Sequence, residues 1–201
     1  MAYGNFTLAQ LKKDFGLSFI ETSGLFSALP DVESSESLIN TLAEGIDLAV
    51  AIGTEKARSE MIVTPILLEL RRLFKKEISL FSGVDFTVSP EQGLNGICDY
   101  LISRSKEQLF IQSPVVMLVE AKNENLKTGL SQCIAEMVAA QQFNLQEENA
   151  VDVIYGVVTI GTIWQFLRLK AQTVEIDLRQ YPIEENLPKI LGILSSAVAG
   201  K

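Results

Sequence analysis

The sequence predicts an α/β protein, a three-layer α/β/α sandwich with a mixed central sheet that follows an N-terminal helical extension. A continuous apolar run at residues 115–119 is typical of a strand buried on both faces. A helical pattern at residues 130–143 separates this strand from another apolar strand at residues 151–160, which indicates a crossover between parallel strands. The later strands are closely spaced, so we expect them to be antiparallel. Helices on both faces of a mixed sheet accommodate all of these elements.

The first part of the chain is predicted to be mainly helical. Apolar residues recur with helical spacing at residues 6–15, 34–52 and 55–76. Gly53 is placed to cap the second of these helices, and Pro65 predicts a kink or a late start in the third. Residues 21–33, which include Gly24 and Pro30, are expected to be irregular.

Strand patterns dominate the rest of the chain. The predicted strands lie at residues 81–88, 94–103, 115–122, 151–160, 162–170 and 174–179. A tight turn near residues 171–173 joins the last two strands, and Pro188 is predicted to open a final helix that ends near Ala199. We expect one domain over residues 1–201, with the extension at residues 1–53 and the core at residues 54–201.

Composition excludes several classes of function. The chain contains no histidine, which removes Ser-His-Asp triads, Cys-His dyads and histidine-ligated zinc. Cys98 and Cys133 do not suggest a disulfide scaffold, and we expect both to be small buried hydrophobic residues. The net charge of −8 argues against tight, non-specific DNA binding but leaves room for a local basic path.

The hydrophobic pattern indicates a cytoplasmic protein. Hydrophobic residues make up 47% of the chain and charged residues 21%, which are ordinary values for a globular domain. No stretch approaches the roughly 20 apolar residues that a membrane-spanning helix needs, so we expect no association with membrane. Residues 1–16 lack the apolar core of a signal peptide.

A few polar residues stand in apolar surroundings. They are Glu60 on a helix, Asp99 on a strand, Glu120 and Lys122 at the end of the next strand, and Gln132 on the following helix. Because side chains alternate along a strand, Glu120 and Lys122 project from the same face. Two carboxylates and an ammonium group that converge on a sheet edge are the components of a divalent-cation site.

This ordered set closely resembles the PD-(D/E)XK nuclease superfamily, which has the restriction-endonuclease-like fold. The family's signature is a helical Glu, an Asp on the second core strand, Glu-x-Lys on the third strand and, in many branches, a Gln on the next helix. The resemblance covers residues 55–170 and is closest to bacterial members of unassigned role. Two positions depart from the pattern: Cys98 replaces the proline of the family name, and Glu136 stands where the exonuclease-like branch has tyrosine.

The resemblance implies a Mg²⁺ or Mn²⁺ cofactor and a set of residues that bind it. Asp99 and Glu120 would supply carboxylate oxygens, which are the ligands that these hard cations prefer. The backbone carbonyl of Ala121 would be a further ligand. Glu60 would complete the coordination of the ion or bind a second one, although an exposed acid at the edge of a helix is also common.

The same resemblance implies a metal-dependent phosphodiester hydrolase that acts on nucleic acid, with DNA expected before RNA. Asp99, Glu120, Lys122 and Gln132 would form the catalytic set. Lys122 would position the attacking water and stabilise negative charge on the phosphorane, and neighbouring acids would keep it protonated. Gln132 would orient the lysine or contact the nucleic-acid backbone.

Two alternatives to the hydrolase stay open at this point. The chain can be a catalytically silent binding or assembly module that keeps the nuclease-like fold, or a metal-free domain in which the charges form structural ion pairs. Homodimerisation is a further expectation, based on the apolar C-terminal helix and the strand around Trp164. The basic residues Arg71, Arg72, Lys75 and Lys76 are interpreted as a solvated helix face before they are interpreted as a phosphate track.

Overall fold

The computed structural model of the chain describes residues 2–200. The helices are α1 (Leu8–Asp14), α2 (Glu36–Ile52), α3 (Glu55–Arg58), α4 (Thr64–Leu73), α5 (Lys127–Gln146) and α6 (Ile183–Ala199). The strands are β1 (Ser18–Thr22), β2 (Ser79–Asp85), β3 (Ile97–Ser103), β4 (Val115–Ala121), β5 (Val153–Thr159), β6 (Ile163–Lys170), β7 (Thr173–Asp177) and β8 (Tyr181–Pro182). A π-helical turn (Ser59–Val63) joins α3 to α4.

The strands within residues 2–200 form one mixed sheet, in the order β1-β7-β6-β5-β4-β3-β2, and β8 pairs with β6. β4 and β5 are parallel and are connected by α5, which confirms the predicted crossover. The pairs β5–β6 and β6–β7 are antiparallel, also as predicted. The edge strand β1 was not predicted; it pairs with β7 in parallel and brings part of the N-terminal extension into the sheet.

Helices cover both faces of the sheet and confirm the predicted sandwich. Along β4, Leu118 packs into a core shared with α1 and α5, whereas Val119 packs into a core shared with α2, α4 and α6. Every residue of β4 is buried, as its continuous apolar run predicts. Cys98 and Cys133 are both free and buried, as expected.

The helix predicted over residues 55–76 contains an irregular turn. Proline lacks a backbone N–H, so Pro65 cannot donate the usual hydrogen bond to the carbonyl of Met61. The π-helical turn lies directly before this proline, and α4 resumes with Pro65 in its first turn. A Cβ atom at Gly45 of α2 would lie only 2.8 Å from the Met61 oxygen, so glycine permits the close approach of the two helices. The predicted kink therefore takes the form of a π-helical turn.

Two helix ends test the predicted boundaries. Gly53 ends α2 in the left-handed conformation at φ 70°, as its position predicts. α6 begins at Ile183, earlier than predicted, but Asn186 has non-helical angles (φ −128°, ψ 15°) and divides it into two helical segments. Pro188 lies in the first turn of the second segment, as predicted, where its missing N–H costs no hydrogen bond.

The surfaces suggested for homodimerisation lie inside the fold. The Trp164 side chain is fully buried, and its indole N–H donates to the Gly161 carbonyl at 2.8 Å. The apolar side of α6 packs against the sheet. Neither surface is therefore available to a second chain. Among the helices of residues 2–200, none combines the length and apolar character that crossing a bilayer requires.

Candidate active site

The site lies where β3 and β4 separate. The register between them ends at the pair Tyr100–Val119, whereas β3 stays paired with β2 as far as Ile97. Beyond that point the Asp99 carboxylate, through Oδ2, accepts the Ala121 N–H at 2.8 Å. A side-chain acceptor thus replaces the backbone partner that a continued ladder would supply. The two strands separate at this point, and the hydrogen bond holds the Asp99 side chain against the end of β4.

Glu120 is the most buried acid of the opening. Its side chain is fully buried; Oε1 accepts a hydrogen bond from the Lys122 ammonium, whereas Oε2 has no hydrogen-bond partner among residues 2–200. The Asp99 and Glu120 carboxyl groups are close enough to change each other's pKa. Burial and the adjacent Asp99 raise the pKa of Glu120 to about 8, and Lys122 opposes the shift. Burial also raises the pKa of Asp99, although the Ala121 N–H and Lys122 counteract it.

Lys122 lies directly after β4, and its side chain is only 20% exposed. Its backbone N–H donates to the Thr159 carbonyl of β5 at 2.8 Å, which fixes the end of the strand. Burial favours the neutral amine, but the hydrogen bond and the charge of Glu120 outweigh this effect and raise the pKa of Lys122. The side chain therefore stays protonated, and it is suited to electrostatic stabilisation and not to general-base work.

The first turns of α5 bring an amide and another acid to the site. Gln132 Oε1 lies 3.4 Å from the Lys122 ammonium, and Gln132 Nε2 donates to Glu136 Oε1 at 3.2 Å. Glu136 is fully buried, and its Oε2 has no hydrogen-bond partner in the described part of the chain. Burial, reinforced by the nearby Glu120, raises the pKa of Glu136 well above its ordinary value. The predicted site residue Gln132 is thus brought to Lys122, together with a carboxyl group that was not predicted to belong to the site.

Gly129 lets α5 approach this closely. A Cβ atom at this position would lie 2.7 Å from Val158 Cγ1 and 3.2 Å from the Cγ atoms of both Glu120 and Lys122. Contacts below 3.0 Å force a displacement, so a larger residue would push the helix away from β4 and β5. The sequence placed Gly129 in a polar loop that leaves the site, whereas it lies within α5, and its role depends on the packing of this helix on the sheet.

Glu60, which the sequence predicts as a metal ligand, lies on the exposed side of the site. It lines an open cleft of about 280 Å³ together with Asp99 and Glu55, but its side chain is 61% exposed. Its ion-pair partner is Lys56 at 3.6 Å. Glu55, in the first turn of α3, was also missed, and its charge contributes to the raised pKa values of Glu120 and Lys122. The sequence gives no signal that Glu55 belongs to the site, because acidic residues are common in the first turn of any helix.

The donor set suits a small hard cation only in part. Within residues 2–200, no group of three or more acidic or cysteine side chains is arranged to hold a metal ion. The Asp99–Glu120 pair, with the unpartnered Glu120 Oε2, fits Mg²⁺, which commonly binds one or two carboxylates and keeps several waters. Because a residue in an extended strand presents its N–H and C=O to the same side, the Ala121 carbonyl also faces the side of Asp99.

The basic residues of α4 are engaged in structural contacts. Arg71 donates from Nε to the Ile78 carbonyl at 3.2 Å. Arg72 forms an ion pair with the buried Glu69 and donates to Ser35 Oγ at 2.7 Å. These contacts attach the end of α4 to its neighbours, and Arg72, Lys75 and Lys76 are exposed, in keeping with the predicted solvated face.

The chain matches no protein-family model, and comparison with curated proteins and with solved structures also finds no match. Function must therefore be inferred from the residues of the site.

Proposed function

We propose that the protein is a metal-dependent phosphodiester hydrolase of the PD-(D/E)XK type that acts on nucleic acid, with DNA as the first substrate to test. The observation that carries the proposal is the carboxyl pair of Asp99 and Glu120, with the Lys122 ammonium beside it, at the point where β3 and β4 separate. The order of these residues along the chain, followed by Gln132 on α5, adds support.

The metal ion would be Mg²⁺ or Mn²⁺. Asp99, the free Glu120 Oε2 and the Ala121 carbonyl would hold it, and Glu60 can contribute only from across the open cleft. When bound, the ion would polarise the phosphoryl oxygen and lower the pKa of the attacking water. The raised pKa values of Asp99 and Glu120 mean that binding must displace protons, so affinity should increase toward alkaline pH.

The protein's own groups would then position the substrate and balance its charge. The protonated Lys122 ammonium has three N–H donors, and two of them point to Glu120 and Gln132. The remaining direction is available for a phosphate oxygen or for the attacking water. A preorganised positive charge in a partly buried site stabilises the negative charge that develops during hydrolysis.

The test uses size-matched variants that remove one charge each. Supercoiled, linear and single-stranded DNA are incubated with Mg²⁺ or Mn²⁺ and with wild type, Asp99→Asn or Glu120→Gln. We expect wild type to cleave at least one substrate, and both variants to lose cleavage and Mn²⁺ binding measured by calorimetry. The exposed Glu107→Gln is the matched control and should behave as wild type. Cleavage that persists in Glu120→Gln at the wild-type rate rejects the mechanism.

A catalytically silent binding or assembly module is the second candidate. It is favoured by the ion pair between Lys122 and Glu120, which already neutralises one of the two carboxylates, and by the net charge of −8. The same experiment separates the two candidates. No cleavage of any DNA, together with no Mn²⁺ binding by wild type, supports the module and contradicts the hydrolase.

A further inference from the structure

Glu136 is a buried acid that has no assigned role in the proposed hydrolysis. It lies on α5 among the apolar residues Ala135 and Met137, and its side chain has no exposure to solvent. One carboxyl oxygen accepts from Gln132 Nε2, and the other has no partner. An unpartnered polar atom in the interior lowers stability, so an apolar residue of similar size would serve this packing better.

Within residues 2–200, the hydrogen-bond partner of Glu136 is the Gln132 amide, and the orientation of this amide decides what it can offer to Lys122. A glutamine amide has an accepting end and a donating end of nearly the same shape, so its own structure does not decide which end faces which neighbour. Lys122 can only donate, and it therefore requires the amide oxygen of Gln132. A carboxyl oxygen of Glu136 accepts from the amide nitrogen at the other end. The two neighbours thus select the same orientation of the amide.

We propose that Glu136 is a positioning residue, whose carboxyl oxygen fixes the orientation of the Gln132 amide so that the amide oxygen faces the Lys122 ammonium. The effect on cleavage rests on the proposed function, but the effect on the Lys122 ammonium does not. Without an acceptor at position 136, the Gln132 amide is free to turn its nitrogen toward the ammonium. The Lys122 ammonium then keeps its hydrogen bond to Glu120 but loses the one to Gln132, which helps to fix the orientation of the ammonium group.

The matched variants are Glu136→Met, which removes the acceptor at similar size, and Glu136→Gln, which can present an amide oxygen in its place. A hydrogen bond to a charged group contributes roughly 1.5–3 kcal/mol, equivalent to about a 10- to 100-fold effect. We expect hydrogen exchange of the Lys122 ammonium, followed by ¹⁵N–¹H NMR and assigned with Lys122→Arg, to accelerate about tenfold or more in Glu136→Met. Glu136→Gln should restore most of the protection.

Cleavage supplies a second readout. We expect kcat to fall about tenfold in Glu136→Met while KM changes less than about threefold, because the substrate contacts of the site are retained. If Glu136 acts through Gln132, the double variant with Gln132→Met should be no slower than Gln132→Met alone. Gln142→Met, a surface change on the same helix, should leave exchange and cleavage as in wild type.

The outcomes distinguish this proposal from the proposed function. If wild type cleaves nothing, the hydrolase fails, and the NMR experiment alone decides the role of Glu136. If Glu136→Met does not fold, Gln132→Met breaks the same connection from its other end and should show the same loss of protection. Exchange of the Lys122 ammonium within about twofold of wild type in the folded Glu136→Met, or in Gln132→Met, overturns the proposal.

Discussion

In the metal-free protein, the stability of Glu120→Gln relative to wild type is expected to increase with pH. The pKa of Glu120 rises from its ordinary value of 4.5 to about 8 in the folded protein, because its side chain is fully buried. Between these values the native state binds a proton that the unfolded chain has already released. Wild type therefore loses stability as pH rises through this range, whereas glutamine at position 120 has no proton to lose.

The size of this loss of stability follows from the pKa shift of Glu120. One pKa unit corresponds to about 1.4 kcal/mol, so the contribution of Glu120 falls by about 3–4 kcal/mol between about pH 5 and about pH 8. For a chain of this length, 1 kcal/mol moves the melting temperature by roughly 2–4 °C. The melting temperature of wild type relative to Glu120→Gln should therefore fall by roughly 10 °C over this range.

Thermal unfolding followed by circular dichroism in the presence of a chelator measures this difference. The comparison with Glu120→Gln cancels the other groups that titrate over the same range. The exposed Glu107→Gln is the control and should follow wild type at every pH. Mn²⁺ should reverse the loss in wild type at alkaline pH and leave Glu120→Gln unchanged, because bound metal stabilises the native state by mass action.

Parallel melting curves for wild type and Glu120→Gln across the pH range would refute the reasoning. They would mean that Glu120 is solvated or ionised at little cost in the folded protein. The carboxyl pair would then lack the proton-linked character on which the pH dependence of metal binding depends.

Three further predictions concern the surroundings of the pair. Lys122→Met should lower the free energy of unfolding at alkaline pH by about 3–5 kcal/mol, because it leaves the Glu120 charge buried and unpaired; unchanged melting there contradicts the ion pair. Gly129→Ala should cost about 1–3 kcal/mol in urea denaturation, since its Cβ would lie 2.7 Å from Val158 Cγ1, and wild-type stability would contradict the close packing. Glu60→Gln should weaken Mn²⁺ binding in calorimetry by less than about tenfold, because its side chain is 61% exposed, and complete loss of binding would make Glu60 a principal ligand.

Much of the fold could be predicted because its signals are local. Five consecutive apolar residues before Glu120 favour a strand covered on both faces, and β4 is such a strand. Gly53 marked the end of α2 because glycine adopts a positive φ without a steric penalty. The long helical pattern between two apolar strands required a crossover, and β4 and β5 are accordingly parallel.

The elements that could not be predicted depend on distant partners. β1 is a largely exposed edge strand, and its sequence shows no strong alternation; it becomes a strand by pairing with β7 near the other end of the chain. Pro188 marked the start of the second segment of α6 because proline fits the first turn of a helix, but the short segment between Ile183 and the kink at Asn186 was not predicted.

The sequence by itself determined which chemical groups are present and roughly where along each element they stand. Asp99, Glu120, Lys122 and Gln132 could be selected because polar residues in apolar surroundings are few. The contacts among these residues could not be predicted from the sequence. An acid in a helix such as Glu136 has the same local pattern whether the helix side faces water or the sheet, and only the packing of α5 buries it. Burial and proximity then set protonation, which no local pattern encodes, because the energy of a charge depends on the solvent and charges around it in space.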